Sequence, residues 1–138
     1  MSNITHLFSL NIDATEHHLI STSPNLTITA QGTAGEAETF MASRYGEYNH
    51  VAGFETGSDT IKVPLDVIKE IKTDTTITAG ELDSAKFATG TDESAASADT
   101  LYYNTTTGVL YYSDGTDATA LITLDGKPTL AASDIQIV

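Results

Sequence analysis

"DTLYYNTTTGVLYYSDGTDATALITL", residues 99–124, reads as two aromatic strands around a glycine turn, then an acidic turn into a third strand. Leu101 and Tyr103 alternate with Tyr102, so the period of two predicts one apolar face and one phenolic face. Asn104 and Gly108 stand at the two ends of a hairpin loop, and "SDGTD" turns the chain again into "ATALITL". Outward from this core the same pattern continues in shorter pieces. LFSLNI (7–12), residues 18–20, LTITA (26–30), TFMA (39–42) and TIKV (60–63) read as strands separated by Asn, Asp and Ser-Pro breaks. "SDIQIV" closes the chain as an apolar strand after the break at "DGKP". One helix is predicted at "PLDVIKEIK" (64–72), where Leu65, Ile68 and Ile71 share a side behind Pro64. A second short turn is expected in "AGELDSAKF". The expected fold is all-β: an antiparallel β-sandwich or β-roll-like domain with one or two short helices. Residues 1–32 form an N-terminal strand region that reads as an exchangeable arm, and residues 33–138 form the main β domain. A weak echo links "ITAGELDSAKF" to "PTLAASDIQIV".

Charge is the anomaly. Nineteen acids stand against six bases in 138 residues, for a formal net charge of -13. Such a surface repels nucleic acid and anionic membrane, and its self-repulsion opposes compaction unless cations offset it. There is no cysteine, so neither disulfides nor thiol chemistry are available. "MSNITHLFSL" has no basic region leading into an apolar run, so no cleaved N-terminal signal is expected, and no stretch is long enough for membrane insertion.

The acids gather at turns: Glu36 and Glu38 near Gly35, Asp59 after Gly57, Asp92 and Glu93 after Gly90, Asp99, then Asp114 and Asp117 around Gly115. Tight acidic turns offer both carboxylates and backbone carbonyls, and calcium takes roughly six to eight oxygens. Asp and Gly are also simply good turn residues, and for any single turn that plainer reading competes. Catalysis is not expected. No G-x-S-x-G elbow is present, and His17 and His18 are adjacent, so in a strand they point to opposite faces. Adjacent acids such as Asp92 and Glu93 suit a solvated or metal-bound loop better than a glycosidase pair.

The stretch 99–138 resembles the C-terminal region of RTX proteins, the hemolysin-type calcium-binding proteins exported by type I secretion. The matching positions are Asp99, Tyr103, Asn104, Thr107, Gly108, Leu110, Tyr112, Asp114 and Gly115, then Leu130, Ser133, Asp134 and Ile135. Upstream, "AKFATGT" is similar to that family's F-x-x-G-T loop. "VAGFETGSDTIKV" is similar to the segment that follows its repeats, at Gly53, Phe54, Gly57, Asp59 and Ile61. The calcium-binding nonapeptide has no clean copy here, and Ser113 stands where the family usually has an Asp, so the likeness is to the cap beyond the repeats. The resemblance implies calcium as cofactor, bound at acidic turns. It also implies an uncleaved C-terminal secretion address, which "AASDIQIV" fits, and hence an extracellular, cell-surface or biofilm-matrix location. It further implies a structural protein that folds and assembles with copies of itself into filaments or matrix in millimolar calcium. Two other readings stand beside it. One is a carbohydrate-binding adhesin that meets extracellular polysaccharide on a strip of Tyr102, Tyr103, Tyr111 and Tyr112. The other is a phage or virion surface protein.

Overall fold

The computed structural model describes residues 16, 17, 21 and 23–138. The strands predicted at 7–12 and 18–20 lie outside the described residues. Within them the chain is mostly β, arranged as two mixed sheets with one short α-helix.

The chain alternates between the sheets. Strands β1 (Glu16–His17), β3 (Thr39–Met41) and β5 (Thr60–Val63) belong to one sheet, while β2 (Ile28–Gln31) and β4 (Asn49–Ala52) belong to the other. β2 pairs in parallel with β4, Ile28 opposite Asn49, and β3 pairs in parallel with β5, Thr39 opposite Thr60. Both registers are offset by 21 residues, so one coil of chain lies on the next. The next passage is longer. From β5 the chain makes α1 (Leu65–Ile71), β6 (Gly80–Glu81), β7 (Phe87–Gly90), β8 (Thr100–Asn104) and β9 (Val109–Ser113) before β10 (Ala118–Leu124). β10 then returns to lie parallel to β4, and β11 (Ile135–Ile137) lies parallel to β5. The finished orders are β1-β3-β5-β11-β6 and β2-β4-β10-β9-β8-β7.

This corrects the antiparallel expectation in part. The meander β8-β9-β10 is antiparallel as the hairpin pattern predicts, but the coil pairings are parallel. A two-residue hairpin loop joins antiparallel neighbours, whereas a strand that returns by way of a second sheet arrives parallel. Residues 28–31 of the expected arm form the edge strand of the six-stranded sheet, paired with β4.

Stacking lines up the apolar positions. Phe40 lies opposite Ile61 and Ile61 opposite Ile135, and all three are almost fully buried. In the second sheet Ala30 faces Val51 and Val51 faces Leu124. These ladders join one core with Leu101, Tyr103, Leu110, Tyr112 and Leu121. Helix α1 adds Ile68 to that core, and its Leu65 amide donates to the Val138 carbonyl at 2.8 Å. Pro64 stands just before the helix, where its missing N–H costs nothing. None of the described helices is long and apolar enough to cross a membrane.

One further expectation changes. Tyr102, Tyr103 and Tyr112 are buried and Tyr111 is half-buried, so these rings form no exposed strip for sugar. All five residues of β8 are buried, because β8 is an inner strand flanked by β7 and β9 and covered on both faces.

Candidate functional site

Each return to the first sheet is led by an acid. Glu38 immediately precedes β3, Asp59 precedes β5 and Asp134 precedes β11, and all three are buried. These residues lie in successive turns of stacked coils, so one side chain can serve two turns.

Asp59 accepts the Glu55 amide of its own turn at 2.8 Å and the Glu38 amide of the turn before at 3.0 Å. Glu55 reaches back in the same direction and accepts the Gly35 amide at 3.0 Å. Glu38 accepts the Thr33 amide at 2.7 Å within its own turn. Asp134 repeats the pattern one coil later, taking the Ala131 amide at 3.0 Å and the Gly57 amide at 3.1 Å. The carboxylates therefore interlock adjacent turns through backbone N–H groups that would otherwise lack partners. Gly57 has φ +82°, a left-handed conformation that glycine adopts without a Cβ clash.

Electrostatically the 33–38 and 54–59 turns are strained. Burial raises the Asp59 carboxyl above the ordinary carboxylate value; the two amides pull it back, and the charges of Glu38 and Glu55 push it further up. Three acids thus meet where two turns meet, and Glu36, two residues before Glu38, is exposed.

Asp99 is held differently. It leads β8 with φ +59°, and its carboxylate accepts the Thr75 hydroxyl, the Thr76 amide (2.6 Å), the Thr76 hydroxyl (2.5 Å) and the Tyr112 hydroxyl (2.6 Å). Lys86 Nζ lies 3.9 Å away. Burial pushes this carboxyl up, but the Thr75, Thr76 and Tyr112 donors outweigh burial and hold it well below the usual carboxylate range. Burial and the bond to Asp99 raise the Tyr112 phenol in turn. Tyr103, whose hydroxyl donates to the Pro128 carbonyl at 2.6 Å, is pushed by burial to about 12.

The remaining candidates organise their own loops. Asp92 accepts the Ser94 amide and hydroxyl at the head of a short 3-10 turn, and Ser94 lowers its carboxyl. Glu93 accepts from the Asn104 side chain at 2.7 Å. Asp114 accepts the amides of Asp117 (2.7 Å) and Thr116 (2.8 Å), which lower its carboxyl, while Asp117 is exposed. Of the expected set only Glu38 and Asp59 come together; Glu36 is exposed in the same turn as Glu38, and Asp92, Asp99 and the Asp114–Asp117 turn are separate loops. Among the described residues no three acidic or histidine side chains are arranged as a ready ligand set. Sequence reasoning passed over Glu55 and did not single out Asp134 as a site residue. The signal available for both was their place in the turn before an apolar strand. No family model, curated protein or solved structure matches this chain.

Proposed function

We propose that this is a secreted, calcium-dependent structural protein that assembles with copies of itself into extracellular filaments or matrix. The observation that carries the reading is the meeting of Glu38, Asp59 and Glu55 between two stacked turns, with Asp59 raised by burial and by its acidic neighbours. A cation bound there would offset that repulsion. The donors are all oxygen, which suits a hard ion such as calcium rather than zinc. Each carboxylate oxygen that accepts one amide keeps a second lone pair. Turn carbonyls and water would complete the shell.

On this reading the alternating strands are a β-roll-like coil whose turns bind calcium, and the 33–138 unit is exported by the address "AASDIQIV". Binding supplies folding free energy where the net charge of -13 withholds it. Relief of the same charge lets copies approach one another, with the N-terminal strand region serving as the exchangeable arm.

The test is circular dichroism with light scattering, first in chelator and then through a millimolar calcium titration. The expected result is a gain of β signal followed by growth of large particles. The Glu38→Gln/Glu55→Gln double variant keeps an oxygen for the Thr33 and Gly35 amides and should remain folded yet lose the calcium response. A monomer indifferent to calcium throughout would sink the proposal.

A further inference from the structure

The acids occupy the connections that lead from the second sheet to the first. The opposite connection, between β3 and β4, makes an open cleft of about 330 Å³ with the start of β10. We propose that this cleft is a binding site for a neutral saccharide, an activity beyond calcium-dependent assembly.

Tyr45 and Tyr48 line the cleft and are half-buried, so their rings are partly open to solvent. Neither phenol hydroxyl has a hydrogen-bond partner among the described residues. Alanines 118 and 120 line it with small side chains, and Thr119 adds a hydroxyl. The Arg44 guanidinium lies 5.8 Å from the centre of the Tyr45 ring, and its charge is paired with Glu70 at 3.0 Å. The intervening turn is anchored: the Gly46 amide donates to Ala120 at 2.9 Å, and its carbonyl accepts the Thr123 hydroxyl at 2.8 Å. A Cβ on Gly46 would lie 2.2 Å from the Leu121 backbone, so the turn sits directly on β10 and holds both tyrosines in place.

This chemistry selects its ligand by exclusion and by fit. The acid surplus, the paired Arg44 and the exposed Glu47 disfavour an anion. The cleft is open and shallow, so it gives an apolar ligand little enclosure. A pyranose presents C–H faces to aromatic rings and hydroxyls to phenols, a threonine and a carboxylate, and this lining offers those groups. The site also relocates the sugar contact expected of the aromatic strands, where Tyr102, Tyr103 and Tyr112 are buried and only Tyr111 is half-buried.

The test is affinity electrophoresis in native gels cast with dextran, hydroxyethyl cellulose or galactomannan, with polygalacturonate as the anionic comparison. Millimolar calcium is kept in the gel, and the protein is loaded below the onset of light scattering, so assembly does not enter the readout. At least one neutral polymer should retard the protein. Tyr45→Ala and Tyr48→Ala should each weaken retention by roughly five- to tenfold. Tyr45→Phe and Tyr48→Phe should retain much of it, and Gln136→Ala on β11 should change nothing. Circular dichroism of each variant separates lost binding from lost folding. Free migration in all three neutral gels overturns the proposal, as does equal retention of wild type and a folded Tyr45→Ala/Tyr48→Ala double variant.

Discussion

Asp59 and Asp99 each stand one residue before a strand and each is buried, yet their surroundings move them in opposite directions. Asp99 sits at the entry to an antiparallel meander, where two threonines and a tyrosine supply neutral donors. Asp59 sits between parallel coils, where its donors are two amides and its neighbours are Glu38 and Glu55. The first carboxylate is a finished structural anion. The second is a charge that its surroundings satisfy geometrically and oppose electrostatically. Burial pushes both carboxyls up; four donors reverse that push at Asp99, whereas two amides at Asp59 do not, and the charges of Glu38 and Glu55 add to it.

The largest effect should come from breaking the finished side. Asparagine tolerates the left-handed backbone that Asp99 adopts, so Asp99→Asn isolates the carboxylate. The new amide group would face donors, and the loss should be about 3 kcal/mol, a fall in Tm of roughly 10 °C by calorimetry. A change under about 1 kcal/mol would show that the four bonds to Asp99 are not the anchor of the hairpin.

Gly46→Ala probes the joint between the two regions, where the coil turn lies on β10. Its methyl would meet the Leu121 and Ala120 backbone, so the turn must shift. The expected cost is about 2 kcal/mol, read by urea unfolding.

The smallest effect is one of pH. Because Asp99 is depressed in the folded state, its contribution to stability is present above the ordinary carboxylate range and is lost as pH falls through the depressed value. Asp59 is raised, so its ionisation opposes folding, and protonation as pH falls through the raised value is stabilising. As pH rises from the ordinary carboxylate value, the unfolding free energy of Asp59→Asn should therefore gain on that of wild type. A difference that does not change with pH would remove the contrast between the two acids.

The meander was legible because its information is local. Alternation at residues 100–104, the Asn104–Gly108 loop and the "SDG" turn fix neighbours in sequence as neighbours in space, and β8, β9 and β10 follow. The coil was legible only in fragments. Gly32 and Gly53, Glu38 and Asp59, Phe40 and Ile61 recur every 21 residues, but the third coil is separated by the long passage through α1 and β6–β9. β4, "NHVA", carries little strand pattern and is a strand because β2 and β10 lie on either side of it. The candidate site was half legible: the clustering of acids at turns could be read from composition and spacing, but not which turns stack.

The sequence by itself determined the β class, the turns, the short helix behind Pro64 and the surplus of acid at loops, since these follow from residue type and short-range periodicity. Tertiary structure alone decided that Glu38, Glu55 and Asp59 share one place, that Asp99 is surrounded by donors, and that Tyr102 and Tyr112 are in the core while Tyr45 and Tyr48 reach solvent. The physical reason is that a carboxylate's behaviour depends on the charges and dipoles within a few ångströms, and here part of them come from distant chain: Glu38 is 21 residues from Asp59 and Thr76 is 23 from Asp99.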